Sequence, residues 1–247
     1  MAHSAQFEQL NHQAHVWYAI PETIQDRSRL DAFRSILSAE ELRRHQRLHF
    51  QEDRHRFLVS HTLIRKVLSR YAELAPDEWR FSVTGRGKPE ISNPGVAPLR
   101  FNLTHTPGLV ACVVNLSGDC GIDAEKITRR HDPLGVARRM FSQEEYLTQQ
   151  SLEGQTQLEY FFERWTLREA YVKARGIGIG FPTRKLRFRV ESHDRVRIEF
   201  ENDIHDHNDH WQIELLRPTA EHIAAVTIAR HNQQLKTVVA HRYDFSD

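Results

Sequence analysis

Residues 109–127 read LVACVVNLSGDCGIDAEKI. The first eight of them are mostly apolar, which is typical of a buried strand. Ser117, Gly118 and Asp119 then interrupt the pattern with turn-forming residues. A second strand is predicted at 121–127, so the interruption marks a candidate boundary between two domains.

A similar order of elements is predicted on each side of this boundary. On the N-terminal side the predictions are a strand at 15–20, a helix at 38–71 and strands at 79–83, around 91, at 100–103 and at 109–116. On the C-terminal side they are a strand at 121–127, helices at 142–150 and 157–175, and strands at 186–190, 195–200, 211–216 and 223–229. The long N-terminal helix begins with Ser38 and Glu41, which have the spacing of a capping box.

We therefore predict an α+β protein made of two similar lobes, residues 1–117 and 118–247. The repeated order indicates an internal duplication with pseudo-twofold symmetry. A cleft between two such lobes is the expected place for a ligand, and hence for the active site.

The composition of the 247-residue chain excludes several classes of protein. With 39% apolar residues it can bury an ordinary core, and its two cysteines do not make a disulfide framework. Residues 1–13 lack the features of a signal peptide, and no apolar run approaches the roughly 20 residues of a membrane-spanning helix. These features predict a cytoplasmic protein. A formal net charge of +1 gives no general reason to expect nucleic acid binding.

Two carboxylates in the strand at 121–127 are candidate metal ligands. Asp123 and Glu125 are two residues apart, so they project from the same face of a strand. Two neighbouring carboxylates repel each other unless a cation neutralises them, and Mg²⁺ is a hard cation that binds carboxylate oxygens. The alternative is a solvated strand face.

The segment 161–173 predicts a partly buried helix that the glycines at 176, 178 and 180 and Pro182 terminate. Glu169 and Lys173 stand four residues apart on one face of it. Such a pair is often an ordinary surface ion pair. Phe162, Trp165 and Thr166 lie near the same face, which favours a pair that borders something other than bulk water.

Three further stretches are candidate phosphate-binding elements. If the helix at 38–71 is continuous, four basic residues lie within a narrow arc of its surface: Arg47, Arg54, His61 and Arg65. This arc is either a solvated face or a phosphate-binding wall. The stretches 85–89 and 102–106 carry lysine, hydroxyl and imidazole groups beside turn-forming residues. Such groups suit phosphate oxygens, although each stretch alone is also compatible with a simple turn.

Taken in order, these segments closely resemble the motifs of the Sfp-type 4′-phosphopantetheinyl transferases. The matching pieces are the Gly87-Lys88-Pro89 turn and residues 101–106, 121–125 and 165–173, and the upstream residues Arg44, Arg47, Arg54 and Arg56 fit the helical region before them. The resemblance covers roughly residues 38–182. It implies two similar α+β lobes with coenzyme A in the cleft.

The resemblance implies a magnesium-dependent transfer of the 4′-phosphopantetheine moiety of coenzyme A to a serine hydroxyl of an apo acyl or peptidyl carrier protein, with release of adenosine 3′,5′-bisphosphate. It implies that Asp123, Glu125 and Glu169 bind magnesium together with the pyrophosphate. Lys173 matches a position near the pyrophosphate. Glu169 is the candidate for removal of the serine proton, and whether it is the base or only a metal ligand stays open.

The resemblance also implies contacts with the nucleotide end of coenzyme A. Lys88, Thr104 and His105 match positions that hold this end, especially its 3′-phosphate, and Arg44 and Arg56 match further nucleotide contacts. Thr104 and Thr106 stand where serines are common, and Arg168 stands where lysine is common. These departures weaken the assignment of Arg168 more than that of the hydroxyl groups.

Two other hypotheses stay open. One is a non-enzymatic nucleic-acid or polyanion binder that uses the basic helix, which a steep salt dependence of DNA binding would support. The other is a transition-metal site at His205, His207 and His210, although the polar segment around these residues favours a solvated loop. The sequence does not indicate which carrier protein is modified, and we expect a monomer.

Overall fold

The structure, a computed structural model, describes residues 2–128, 132–178, 180–230 and 234–246. The helices are α1 (Ala2–Gln9), α2 (Arg27–Ile36), α3 (Ala39–Arg47), α4 (Gln51–Leu68), α5 (Pro133–Met140), α6 (Gln143–Ser151) and α7 (Gly154–Arg175). The strands are β1 (Gln13–Ala19), β2 (Phe81–Val83), β3 (Pro89–Ile91), β4 (Leu99–Thr106), β5 (Leu109–Leu116), β6 (Cys120–Lys126), β7 (Leu186–Ser192), β8 (Arg195–Phe200), β9 (Trp211–Thr219), β10 (His222–Ala229) and β11 (Thr237–Arg242). This mixture confirms the predicted α+β class. Within the described ranges, no helix combines the length and the apolar character needed to cross a membrane.

The chain forms two compact units that divide between Ser117 and Gly118. The first unit consists of residues Met1–Ser117 and Lys236–Asp247, and the second consists of Gly118–Leu235. The predicted C-terminal lobe of residues 118–247 is therefore too long, because its last segment belongs to the first unit.

Strand β11 is the part of the predicted C-terminal lobe that belongs to the first unit. It pairs in parallel with β1, from Gln13 opposite Thr237 to Tyr18 opposite Arg242. The ammonium group of Lys236 donates to the backbone oxygen of Leu10 (2.7 Å) and to the side chain of Asn115 (2.8 Å) at the start of this pairing. Because the partner strand lies more than 200 residues earlier in the chain, local sequence patterns do not reveal the pairing.

The first unit is built on a four-stranded sheet in the order β11-β1-β5-β4. Helix α4 packs on this sheet, and its apolar side chains share one core with those of β1, β4 and β5. Residues 109–115 are all buried, which explains why β5 reads as an apolar run rather than an alternating one. Strands β2 and β3 form a separate hairpin.

The second unit is built on an antiparallel sheet in the order β6-β10-β9, with β7 and β8 as a hairpin. The apolar face of α7 shares a core with β9, β10 and this hairpin. Its C-terminal end is capped by Gly176, which adopts a left-handed conformation (φ 61°), as a helix C-cap commonly does.

The single helix predicted at 38–71 is two helices in the structure. Helix α3 ends at Arg47, extended backbone follows at Leu48 and Phe50, and α4 begins at Gln51. An unbroken helix over 38–71 would be about 50 Å long, whereas a small domain is about 30 Å across. The break allows Leu42 and Leu48 to pack against the same core that α4 covers.

A buried polar cluster joins β1 to the end of α4 in the first unit. His15 is 2% exposed, and its Nδ1 atom lies 2.7 Å from the hydroxyl of Tyr71, which also accepts from the indole nitrogen of Trp17 at 2.8 Å. Burial lowers the pKa of His15 to about 4, and the nearby charges of His241 and Lys236 act in the same direction. The folded protein therefore holds His15 neutral.

We expect acid to destabilise the first unit through this histidine. Between pH 6.5 and about 4 the unfolded chain binds a proton at residue 15 that the folded chain does not, so the free energy of unfolding falls by roughly 2–3 kcal/mol over this range. Denaturant unfolding of the wild type and of His15→Gln at several pH values measures the effect. The fall should be smaller in the variant, and parallel curves for the two proteins would contradict the assignment.

Candidate functional site

Strand β6 presents its carboxylates beside α7 in the second unit. Along the strand, Gly121, Asp123 and Glu125 share one face by the two-residue repeat. A Cβ atom on Gly121 would lie 2.1 Å from the backbone oxygen of Ala170 and 2.4 Å from the backbone nitrogen of Ala174. Helix α7 therefore lies directly on β6, on the face that carries both carboxylates.

Substitution of Gly121 tests this close approach. The contacting atoms belong to the backbone of α7 and cannot rotate away, so Gly121→Ala should destabilise the second unit by about 1–3 kcal/mol. The midpoint of denaturant unfolding measures the loss. Gly180→Ala is the control, because nothing lies within 4 Å of a Cβ at that position. Equal midpoints for the two variants would argue against the contact.

Helix α7 places Glu169 and Lys173 near the carboxylates of β6. The ammonium group of Lys173 donates to the Asp123 carboxylate at 2.6 Å and to the backbone oxygen of Ile122 at 3.2 Å. The Asp123 side chain is only 8% exposed. Glu169 lies one turn before Lys173 on α7 and is half-buried. Lys173 of the predicted pair on α7 thus contacts Asp123 of the predicted pair on β6.

The charge of Asp123 affects the protonation of Glu169. Burial raises the pKa of Glu169 above its ordinary value, the charge of Asp123 raises it further, and Lys173 lowers it. A carboxylate whose pKa is raised by a neighbouring carboxylate is also a natural ligand for a cation, because the cation offsets the repulsion between the two charges.

The donor chemistry of these residues fits Mg²⁺. Magnesium in enzymes of phosphate chemistry is commonly held by one or two carboxylates, with waters and substrate phosphates as the other ligands. Asp123, Glu125 and Glu169 supply oxygen ligands of this kind. Across the residues that the structure describes, however, no three His, Cys, Asp or Glu side chains are gathered closely enough to hold a metal by themselves. A site of this type would need ligands from the substrate.

The candidate nucleotide contacts belong to the first unit. Lys88 ends the turn between β2 and β3, where its backbone nitrogen donates to the side chain of Thr84 (3.2 Å) and its backbone oxygen accepts from Thr84 (2.9 Å). Gly87 has a φ of 89°, which this turn requires and which glycine adopts without strain. Lys88 lines a small cavity with the beginning of β4, residues 99–101.

Thr104 and His105 lie toward the other end of β4. The strand pairs with β5 without a register shift from Leu99 to Thr106, so successive side chains point to opposite faces of the sheet. The side chain of Thr104 is buried, whereas that of His105 is exposed. The first unit therefore places Lys88 near the start of β4, and it does not place Thr104 and His105 on one face.

The predicted basic wall is wrong. Arg47 lies on α3, whereas Arg54 lies on α4, and the other two members point toward a buried carboxylate. His61 Nδ1 lies 2.9 Å from Glu41, and Arg65 Nη2 lies 2.6 Å from it. Burial alone would raise the pKa of Glu41, but hydrogen bonds from His61 and Arg65 outweigh it and lower the pKa to about 2. The hypothesis of a polyanion binder loses the continuous basic face on which it depended.

Two other arginines of this region keep their place as candidates. The guanidinium of Arg44, on α3, lies 5.9 Å from the centre of the Phe57 ring. Arg56, on α4, bonds to Asp53 of the same helix. Neither contact assigns a ligand to them.

The histidine segment at 205–210 is tied to α7 through a buried carboxylate. Asp206 accepts from the Tyr171 hydroxyl (2.7 Å), from Trp211 Nε1 (3.0 Å) and from Arg175, and His210 Nδ1 lies 2.8 Å from its other oxygen. Among the described residues, which include this segment, no group of three His, Cys, Asp or Glu side chains is arranged to hold a metal ion. His210 thus contacts Asp206, and its ring also packs edge-on against that of His207, with the ring centres 5.3 Å apart.

Sequence reasoning missed one buried network next to the site. Arg168 precedes Glu169 on α7 and bonds to Glu145, which is 3% exposed. The signal was present, because Ser142 and Glu145 repeat the S-x-x-E spacing of Ser38 and Glu41.

Comparison with protein families gives two matches that together span most of the chain. A family model described as the 4′-phosphopantetheinyl transferase superfamily matches residues 119–227. A second, described as 4′-phosphopantetheinyl transferase, N-terminal, matches residues 25–116.

Individual relatives agree with these matches. The 4′-phosphopantetheinyl transferase HetI of Nostoc sp. is 36% identical over 171 residues, which are 69% of this chain and 71% of that protein. The 4′-phosphopantetheinyl transferase Sfp of Bacillus subtilis is 32% identical over 169 residues, which are 68% of this chain and 73% of that protein. A crystal structure of a holo-(acyl-carrier-protein) synthase from Bacillus anthracis in complex with CoA (3′,5′-ADP) is 21% identical, covers 45% of this chain and 94% of that chain, and has a TM-score of 0.36. That last similarity is too weak to add to the first two.

Proposed function

Because this chain belongs to the 4′-phosphopantetheinyl transferase superfamily, we propose that the carboxylates and the lysine shared by β6 and α7 form its phosphoryl-transfer site. The enzyme transfers the 4′-phosphopantetheine moiety of coenzyme A to a carrier protein. The acceptor is a serine hydroxyl of the apo carrier, and adenosine 3′,5′-bisphosphate is the product that leaves.

One observation carries the assignment of the site. Asp123 and Lys173 are joined by a 2.6 Å hydrogen bond, and Glu169 stands one turn before Lys173 on α7, where burial first and the charge of Asp123 second raise the pKa of Glu169. An ammonium group can contact a charged pyrophosphate directly, and a carboxylate pair can hold the cation that neutralises its phosphate oxygens.

In the transfer, the serine oxygen forms a bond to the phosphorus on the pantetheine side of the pyrophosphate. The bond from this phosphorus to the bridging oxygen breaks, and the leaving bisphosphate takes the electron pair. Glu169 is the proposed acceptor of the serine proton, a carboxylate that stands one turn before Lys173 on α7. Lys173 offsets the charge that develops on the leaving group.

Asp123, Glu125 and Glu169 would hold Mg²⁺. When bound, the ion supplies positive charge that stabilises the phosphate oxygens during the transfer. The hydrogen bond from Lys173 to Oδ1 fixes the position of the Asp123 carboxylate beside α7.

The first unit would bind the nucleotide end of coenzyme A. His105 supplies an imidazole for the 3′-phosphate. Lys88, near the other end of β4, and Thr104, on the opposite face of that strand, supply a charged group and a hydroxyl for other parts of the nucleotide end. Arg44 and Arg56 are further candidates for contacts with the nucleotide, since a guanidinium suits phosphate oxygens.

Incubation of the purified protein with coenzyme A, Mg²⁺ and apo carrier proteins tests the proposed reaction. Mass spectrometry should show one added phosphopantetheine on a carrier with its serine intact. Carriers of fatty-acid, polyketide and peptide synthases should be compared, because the acceptor remains to be identified. The proposal fails if no carrier gains this mass while an authentic transferase modifies the same samples.

We also propose that the enzyme is cytoplasmic and monomeric.

His105 should contribute to affinity for coenzyme A through the 3′-phosphate. A hydrogen bond to a charged phosphate is worth about 1.5–3 kcal/mol, and about 1.4 kcal/mol changes affinity tenfold. His105→Ala should therefore raise the KM for coenzyme A by roughly ten- to a hundredfold. Steady-state kinetics with carrier protein at saturation measures the change.

A second substrate separates binding from packing at this position. With 3′-dephospho-coenzyme A the same substitution should have little effect, because the phosphate that His105 contacts is already missing. Equal losses with both substrates, together with a lower melting temperature, would assign His105 to packing instead.

A further inference from the structure

A buried arginine, Arg168, connects helix α7 to neighbouring elements of the second unit. Arg168 is 1% exposed, and its guanidinium donates to the backbone oxygens of Met140 (3.1 Å), Arg164 (2.9 Å) and Leu186 (3.0 Å) and to the carboxylate of Glu145. These acceptors lie at the end of α5, on α7 itself, at the start of β7 and on α6. One side chain thus links α7 to three other elements of the second unit.

The partner carboxylate is itself held on both oxygens. Oε2 of Glu145 accepts from the backbone nitrogen (3.1 Å) and the hydroxyl (2.6 Å) of Ser142, and Oε1 accepts from the backbone nitrogen of Phe188 (3.0 Å). The capping box of α6 therefore fixes the position of Glu145, and Glu145 fixes Arg168.

The first unit contains the same arrangement. Arg65 lies 14 residues after the first residue of α4, as Arg168 does after the first residue of α7. It is also 1% exposed, and it donates to the capping-box carboxylate Glu41 (2.6 Å) and to the backbone oxygens of Pro76 (3.1 Å) and Trp79 (2.9 Å).

The match extends along both helices. Ten residues after each helix start, His61 and Arg164 lie near the respective capping-box carboxylate, and each stacks on an aromatic ring one turn earlier, that of Phe57 or Tyr160. The two helices differ at the residue that follows the buried arginine. The residue after Arg65 is Lys66, whereas the residue after Arg168 is Glu169.

We propose that Arg168 is a positioning residue for the transfer reaction. It sets the rotation of α7 about its own axis, so that Glu169 and Lys173 face Asp123. The inference rests on the proposed roles of Glu169 and Lys173. Arg65 makes the equivalent contacts in a helix that has no glutamate at the next position, so it does not orient a proposed proton acceptor.

The geometry makes the reaction sensitive to this contact. Side-chain ends lie about 5–6 Å from a helix axis, so a rotation of about 10° moves them by about 1 Å. A displacement of this size in a reacting group can lower a rate by up to about a hundredfold. Lysine in place of Arg168 keeps the positive charge, but its three donors on one atom cannot reach four acceptors on four elements at once.

The matched substitutions Arg168→Lys and Arg65→Lys test the proposal. Arg168→Lys should lower kcat at least about fivefold, with the KM for coenzyme A within about threefold of wild type. Arg65→Lys should leave kcat within about twofold. Hydrogen exchange of the purified variants without ligands gives an independent measure: amides of residues 165–175 should exchange faster in Arg168→Lys and should be unchanged in Arg65→Lys.

Equal losses of kcat in both variants, or an unchanged kcat in Arg168→Lys, would overturn the proposal. Glu169→Gln measured alongside separates it from the underlying assignment. If that variant keeps normal turnover, the role of Glu169 is wrong and the positioning role falls with it. If it loses turnover while the two lysine variants behave alike, only the positioning role fails.

A milder pair covers the case in which Arg168→Lys does not fold. Ser142→Ala and Ser38→Ala remove only the capping hydroxyls and keep both arginines and both glutamates. The proposal expects a lower kcat in Ser142→Ala than in Ser38→Ala, with both proteins folded. Equal kcat values in this pair would count against it.

Discussion

Asp123→Ala should abolish phosphopantetheine transfer while the protein stays folded. The substitution removes a carboxylate oxygen from the proposed magnesium site and the partner that holds Lys173 in place. Stabilisation of the pyrophosphate charge by a bound cation is worth several kcal/mol, and about 4 kcal/mol corresponds to roughly a thousandfold in rate. Turnover with carrier protein and coenzyme A at saturation measures the loss, and thermal unfolding checks the fold.

The matched control is Asp203→Ala. Asp203 also bonds to a lysine of the second unit, Lys185, but it is exposed and belongs to another part of that unit. This variant should transfer at the wild-type rate. In addition, EDTA should stop the wild-type enzyme and added Mg²⁺ should restore it. Full turnover in EDTA, or normal turnover of Asp123→Ala, would contradict the proposed metal site.

Glu169→Gln should lower kcat by about a hundredfold or more, with a much smaller change in the KM for coenzyme A. The amide keeps the shape of the side chain but cannot accept the serine proton, and general base catalysis commonly contributes 10²–10⁴-fold. An interaction needed mainly in the transition state affects kcat rather than substrate binding. Steady-state kinetics on the purified variant gives both constants.

Glu163→Gln provides the comparison for this prediction. Glu163 lies on the same helix, is partly buried, and has a pKa that burial raises, as it does for Glu169. It contacts Arg164 rather than the residues of β6. Its kcat should stay within about twofold of wild type. If Glu169→Gln instead kept kcat and raised KM, Glu169 would hold the substrate without acting as the base.

Local patterns predicted the elements that carry the second-unit site. The two-residue alternation in 121–125 places Asp123 and Glu125 on one face of β6, and the four-residue spacing of Glu169 and Lys173 places them on one side of α7. Both inferences need only the periodicity of a strand and of a helix. The predicted bounds of β5 and β8 agree with the structure, and the S-x-x-E spacing at Ser38 correctly predicted a capping box.

The basic helix shows where local reasoning failed. The spacing of Arg47, Arg54, His61 and Arg65 described an exposed stripe only if the helix was continuous. No helical spacing indicated that Glu41, 20 residues before His61 and 24 before Arg65, would bond to both of these side chains. A buried carboxylate is stable only when it is paired, so the folded core directed these two basic side chains inward.

The sequence by itself predicted the α+β class, the division near residue 117 and the groups that we propose to bind and transfer a phosphate, because these predictions depend on neighbours a few positions apart. Only the tertiary structure decided that β11 returns to β1, that Lys173 bonds to Asp123 from 50 residues away, and that Arg168 and Arg65 occupy equivalent buried positions. Each of these contacts joins segments that are distant in the chain. They form because the core must bury apolar faces and pair every charge that it encloses, and that condition is met across the fold rather than along the sequence.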